Sequence, residues 1–291
     1  VSSVVDSGDT YEDGSMTDTA APTPVPSPQE RLATFRSRRE QSVVQPTGSL
    51  ALVNTQWVDS EQTIWGVPGV WAPATGGLTV TAAASDGISV DGTLVDGAVL
   101  VRARNQPEPS VVSFSDTVSG FVIAGEGNYA LRVWDSASEG IEQFGGIDAF
   151  DYNPDWVIAA TFSENPEGTT LGFEHLKDDG KSREEVIPGE ITFTKDGVDY
   201  NLAAFKSGRA LQLVFADATN GVDTYSVGRF LFLAPNPDGS ITLDFNLAIL
   251  PPCAFSYNFN CPLPPKQNRF SVPIEAGEKN VLNKEGALLH G

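Results

Sequence analysis

EITFTKDGVDYNLAAFKSGRALQLVFADATNGVDTYSVGRFLFLAPNPDGSITLDFNL, residues 190–247, decides the fold. Apolar and polar residues alternate through five segments, 190–194, 198–205, 210–216, 223–233 and 240–247. Between them stand KDG, KSG, ATNG and PNPDG, short turns that each offer a residue tolerant of left-handed geometry. Five strands with four tight turns predict an antiparallel meander. A sixth strand over residues 270–275 returns after a long loop, so that the set stands as a curved sheet or closes in part as a barrel.

Upstream, Gly, Pro, Asn and Asp punctuate the chain from Gly48 onward every 8 to 12 residues, the pattern of an antiparallel β domain. Strands are expected over 50–54, 77–82, 88–90, 98–102, 111–114, 121–124 and 130–134. Their turns are Ser85-Asp86-Gly87, Asp91-Gly92 and Glu126-Gly127-Asn128. The fold class is therefore mainly β: a small N-terminal β-sandwich, then the meander or partly closed barrel, with one N-terminal helix. That helix starts at Ser27, where Pro28 takes the first helical position and Glu30 completes a capping box. Leu32, Phe35, Arg36 and Arg39 follow at helical spacing; Leu32 and Phe35 are expected to dock, and Arg31, Arg38 and Arg39 to stay in water.

The domain boundaries that follow are an acidic tail and Pro-rich linker over 1–28, the helix over 29–45, and a sandwich-like domain over 46–135. A connector with one strand, 157–162, spans 136–188; the meander with its Pro/Cys loop occupies 189–280, and a flexible tail 281–291. The first 28 residues carry five carboxylates and no basic residue, a composition that does not offset its own ordering entropy. In the connector, Phe144, Phe150, Tyr152 and Trp156 read as packing between the halves.

Composition bounds the function. With 38 acidic against 18 basic residues the net charge is -20, which argues against a nucleic-acid partner, because phosphate backbones are bound by displacing counterions with Lys and Arg. No apolar run is long enough to span a bilayer. The opening VSSVVDSGD has neither the basic nor the apolar region of a signal peptide, so such a peptide is expected to have been removed already or never to have existed. Compartment stays open, with the cytosol favoured. Two cysteines and two histidines make a Cys/His zinc site hard to assemble, and neither metal nor cofactor is expected. Phosphate loops, dinucleotide fingerprints, nucleophile elbows and zinc-protease motifs are absent. Asp217-Ala218-Thr219-Asn220-Gly221 starts like a calcium loop, but Gly228 stands where the bidentate carboxylate belongs, and a hairpin turn is the better reading.

The candidate site lies at the end of the quoted stretch. Strand alternation places Leu243, Phe245 and Leu247 on one face and Asp244 with Asn246 on the other, beside a loop stiffened by Pro251, Pro252, Pro262, Pro264 and Pro265. Arg229, Arg269 and Glu278 are the partners expected for those polar groups, as a structural network or as a preorganised site. Cys253 and Cys261 in the same loop are read as buried free thiols, with a disulfide as the alternative and Arg229 or Arg269 as the cation a reactive thiolate would need.

Several of these segments carry a resemblance. Asp217–Thr219, TYSVGRFLFL from Thr224, LDFNLAILPPCAFSYNFNCPLPP from Leu243, NRF from Asn268 and EAGEK from Glu275 resemble an uncharacterised bacterial family, domain of unknown function 1684. The likeness extends upstream through PGEITFTKDGVDYNLAAF, FGGIDAFDYNPDWVIAATF, LRVWD and Trp57 to about Arg31. The resemblance implies no established activity. It singles out Tyr225, Arg229, Asp244, Asn246, Pro251, Pro252, Cys253, Cys261, Asn268, Arg269 and Glu278. This chain departs where the family reads NxAYNPPC, having Leu247, Ile249 and Leu250 around Ala248. It departs again at Ile141-Glu142, where an Arg is expected, and at Ser49, where a Trp is common. Those departures weaken a catalytic reading more than the fold.

Two functions follow. The first is a noncatalytic protein that binds a small molecule or a protein partner, or is purely structural, with its site where the Asp244 strand meets the 253–268 loop. The alternative is an enzyme of unassigned chemistry using Asp244 as base, Arg229 or Arg269 as anion anchor and a cysteine as nucleophile.

Overall fold

The computed structural model describes residues 25–125 and 127–290, so most of the expected acidic tail, Glu126 of one expected turn and the last residue lie outside the described residues. The chain enters through helix α1 (Pro28–Val43), whose Ser27 cap accepts from the Glu30 amide while the Glu30 carboxylate accepts from the Ser27 amide. The capping box read from the sequence is thus formed.

Ten strands follow: β1 (Leu52–Val58), β2 (Gln62–Thr63), β3 (Val70–Ala74), β4 (Gly77–Ala82), β5 (Ser89–Val90), β6 (Thr93–Leu94), β7 (Gly97–Arg102), β8 (Val112–Ser113), β9 (Val118–Gly125) and β10 (Asn128–Asp135). They form a six-stranded sheet in the order β1-β10-β9-β8-β5-β6 and a four-stranded sheet β2-β3-β4-β7. Trp71, Leu78, Val80, Ile88, Val101, Val112, Val122, Leu131 and Val133 pack between the two, which makes the expected sandwich. Asp91 and Gly92, both at positive φ, close the β5–β6 hairpin as their sequence requires. β2, β3 and β6 escaped the sequence pattern because they are short or interrupted by Pro73.

The connector is more structured than expected. It holds the one-turn α2 (Glu139–Gln143), β11 (Phe144–Ala149), β12 (Val157–Glu164) and the hairpin β13 (Thr170–Glu174) with β14 (Ser182–Val186). Then come β15 (Gly189–Lys195), β16 (Val198–Ser207), β17 (Ala210–Phe215), β18 (Arg229–Leu233), β19 (Ser240–Asp244) and β20 (Glu278–Asn283). The meander runs β12-β15-β16-β17-β18, and β19 returns to the opposite edge beside β12, giving a six-stranded half-barrel. Its inside is filled by Ile191, Leu202, Leu213, Phe215, Leu231, Leu243, Phe245 and Phe270.

Four local expectations are corrected. The 216–228 segment is not a tight hairpin but a long connection in which the Thr219 carbonyl accepts from the amides of residues 222–224, and β18 starts only at Arg229. β19 ends at Asp244, because the Asp244 carboxylate accepts from the Asn246 amide and starts a 3-10 turn over Phe245–Leu247. The strand expected over 270–275 does not form: Pro273 lacks an N–H, and the carbonyls of Ile274 and Ala276 are taken by a buried arginine. β20 runs instead over part of the segment expected to be a tail and pairs with β11, and Leu289 donates back to Val281. Among the described residues no helix is long and apolar enough to cross a membrane.

Candidate functional site

Of the residues singled out by sequence, Arg229 and Glu278 sit in two linked networks and the others in separate bonds of their own, rather than all around one opening. Arg229, at the first position of β18, is fully buried. One of its terminal nitrogens donates to Asp217 Oδ2 at 2.7 Å and to the Ile274 carbonyl at 2.9 Å. The other donates to the carbonyls of Ala276 and Glu278. Alternate residues of one passing segment therefore turn three carbonyls to a single guanidinium, which holds that segment in place of a β ladder. Asp217 Oδ1 accepts from the Thr219 amide and hydroxyl and from the Ile274 amide. Burial draws the Arg229 guanidinium below its ordinary value, against the pull of Asp217, yet arginine stays charged under any folding condition. Its Nε is left without a partner.

Glu278 forms the second network. Its carboxylate accepts from Arg39 Nε at 3.0 Å and from the Leu250 amide at 2.7 Å, while Arg39 also donates to the Leu250 carbonyl. Arg39 is therefore not in water as expected; α1 carries it onto the Pro/Cys loop. The stripe of Leu32, Phe35, Arg36 and Arg39 contained that signal, since residues at this spacing share one face. Arg36 on the same face donates to the Phe150 carbonyl, and Glu40 accepts from the Ile147 amide. Burial pushes the Glu278 carboxyl above its ordinary value, with Arg39 and the Leu250 amide pulling the other way.

Asp244 and Asn246 do come together, but through the turn and not through strand alternation. Asp244 Oδ1 accepts from both the backbone amide and Nδ2 of Asn246. The Asn246 carboxamide then bonds both the amide and the carbonyl of Asn153, a partner absent from the sequence reading. Neither Arg229 nor Arg269 pairs with Asp244: the first is taken by Asp217, and the second donates through Nε to the Pro264 carbonyl. Asn268 is fully buried and fully used. It accepts from the Ala203 amide and donates to the carbonyls of Ala203 and Val214, standing in for a strand where the β16–β17 ladder stops at Phe205.

Cys253 and Cys261 are buried free thiols beside one another, with the Cys253 amide donating to Cys261 Sγ at 3.3 Å. Tyr225 closes over them, its hydroxyl donating to the Cys253 carbonyl. Burial pushes the Tyr225 hydroxyl up; within the thiol pair, the hydrogen bond they share draws Cys253 down and pushes Cys261 up. The arrangement fixes the loop. It leaves the Arg229 guanidinium and both sulfurs without the open volume that nucleophilic attack on a substrate requires. Among the described residues no cluster of three or more His, Cys, Asp or Glu is placed to hold a metal ion.

Two cavities flank the loop these networks hold. One, of about 280 Å³, lies against β13 and is lined by Pro264, Pro265, Lys266 and Arg269. The other, of about 520 Å³, lies between the sandwich face carrying Thr55, Trp57 and Arg132 and the loop residues Asn258 and Asn260, with His175 to Arg183 at its side. Of the sequence-derived candidates, only Arg269 lines either cavity. Arg132 and Thr55 escaped the sequence reading because a cation within a β segment looks like any solvated strand position until the opposite wall is known.

Comparison with known proteins agrees with the resemblance read from the motifs. The family model described as "Protein of unknown function (DUF1684)" matches residues 142–279. A solution NMR structure of an uncharacterized protein from Haloarcula marismortui is 36% identical over 47% of this chain and 77% of its own, with a TM-score of 0.38. No curated protein matches the sequence. With the matched segment holding every candidate residue from Tyr225 to Glu278, the chain belongs to the DUF1684 family of proteins of unknown function.

Proposed function

We propose that this protein is a noncatalytic binding protein whose ligand sits in the 520 Å³ cleft between the sandwich and the Pro/Cys loop. The observation that carries this reading is a division of labour within the loop. Its inner side and the segments flanking it are spent on the Asp244–Asn246–Asn153, Glu278–Arg39 and Asn268–Ala203 bonds, whereas its outer side lines an open volume at Asn258 and Asn260, whose side chains are held in place by Leu52, Lys177 and Asp178. A cavity of that size lies within the range of small-molecule sites, and a wall whose backbone is pinned costs little ordering when a ligand enters. On this reading the family's polar residues hold the site without touching the ligand, and the Asp244 strand anchors the loop.

The test is a small-fragment screen followed by amide and indole NMR. Binding is expected to shift the signals of Trp57, Asn258 and Asn260 while Asp244 and Asn246 stay unmoved. Shifts centred on Asp244, or none in the cleft, would overturn the reading.

A further inference from the structure

The cleft wall contains polar atoms that the described chain does not satisfy. Arg132 stands on β10 between Thr55 of β1 and Phe121 of β9. Leu131 and Val133 on either side of it point into the sandwich core, so Arg132 points outward, toward the loop. Its guanidinium carbon lies 5.2 Å from the centre of the Phe259 ring, yet no carboxylate faces it among the described residues. Arg132 Nε is buried with no hydrogen-bond partner, and so is Thr55 Oγ1 directly across the ladder. Asp178, which also lines the cleft, has both oxygens taken by Arg183 and accepts from Asn260 as well. Burial draws the Arg132 guanidinium down, and nothing on the described protein supplies the acceptor that would restore it.

Buried polar atoms are rarely left alone, and two adjacent ones on the wall of an open cleft point to an external group that bonds both. The chemistry of that group can be read. The Nε edge of a guanidinium presents two parallel N–H groups that match the two oxygens of a carboxylate, and a neighbouring hydroxyl can donate to one of them. A phosphate dianion would draw on backbone amides as well, and would be repelled more strongly by a chain of net charge -20. Trp57 stands two residues from Thr55 on the same strand and hence on the same face, about 7 Å along it. Its indole lies over Gly125 and is 43% exposed, so a flat apolar group has a surface to rest on.

We propose that the cleft binds a small organic carboxylate, held by Arg132 and Thr55, with its apolar body against Trp57. This rests on the binding-protein reading above and adds the class of ligand. Benzoate is the probe, benzamide its neutral counterpart and inorganic phosphate the competing oxyanion, each titrated into the full chain while the Trp57 indole signal, assigned through Trp57→Phe, is followed. Benzoate is expected to shift that signal saturably, with benzamide at least about tenfold weaker and Arg132→Gln weakening benzoate by a similar factor, as the loss of charge-assisted hydrogen bonds implies. Thr55→Val is expected to weaken benzoate by a smaller factor, and Arg132→Lys, which keeps the charge without the fork, to weaken it as well. If benzamide binds as well as benzoate, the carboxylate inference falls and the binding reading stands. Phosphate displacing benzoate at equal concentration would overturn the carboxylate preference, and a Trp57 signal that none of the probes moves would sink the carboxylate inference while leaving the binding reading to the fragment screen.

Discussion

Glu278 shows how a buried acid can be both paired and strained. Its carboxylate has two good partners, the Arg39 guanidinium and the Leu250 amide, but burial outweighs them and the group is harder to ionise than a free glutamate. The consequence for stability follows from proton linkage. A carboxyl whose folded pKa is raised binds its proton more tightly in the native state, so its contribution is complete below the ordinary value of 4.5 and declines as pH climbs from there to the raised value. Urea denaturation across that window is expected to show stability falling with rising pH, and Glu278→Gln to flatten the slope. Glu278→Ala is expected to cost about 3–5 kcal/mol at neutral pH, because Arg39 and the Leu250 amide would both lose their partner. A pH profile identical in Glu278→Gln would show that the slope arises elsewhere. From the sequence, Glu278 was visible as a candidate but its partner was not, since Arg39 lies 239 residues away.

Among elements, legibility tracked local chemistry. β15, β16 and β17 were readable because alternation and KDG or KSG turns agree, and Asp196 and Gly197 adopt the positive φ that the first of those turns requires. The strand ends failed where a side chain claimed the backbone: Asp244 caps the turn that ends β19, and Arg229 takes the carbonyls that would have paired the 270–275 segment. Nothing in a local window announces either event. Gly277, between the two networks, is where the path is tightest. It sits at φ +83, and a Cβ there would lie 2.7 Å from the carbonyl oxygens of both Phe245 and Ala248. Both terms act in the same direction, strain at positive φ and collision with backbone that cannot swing away. Gly286→Ala, at a similar φ but with open space around it, is expected to cost about 1 kcal/mol from backbone strain alone, and Gly277→Ala clearly more, because the collision adds to the same strain. Equal losses in chemical denaturation would remove the close approach as the cause.

Over the whole molecule, the family segment does not contain all that holds it. Residues 142–279 end just inside β20, whose pairing with β11 runs on to Asn283, and the cation that partners Glu278 comes from α1, ahead of the sandwich. α1 touches the second half repeatedly: Arg39 meets Glu278 and the Leu250 carbonyl, Arg36 the Phe150 carbonyl, Glu40 the Ile147 amide, and Val43 packs with Leu250, Phe255 and Val281. A helix with a low share of apolar residues is thus held mainly by what it bonds, and the half-barrel is completed by a piece that precedes the sandwich in the chain. Removing residues 25–47 is expected to leave Glu278 buried without its cation, a loss of about 3 kcal/mol or more. For a chain of this size a loss of about 3 kcal/mol lowers the melting temperature by about 5 °C. The drop should be matched in large part by Arg39→Met in the intact chain, because the ion pair and not the helix surface carries most of it. A truncated chain that melts where the intact one does would mean that α1 rests on the half-barrel without stabilising it, and that the Leu250 amide alone keeps Glu278 in place.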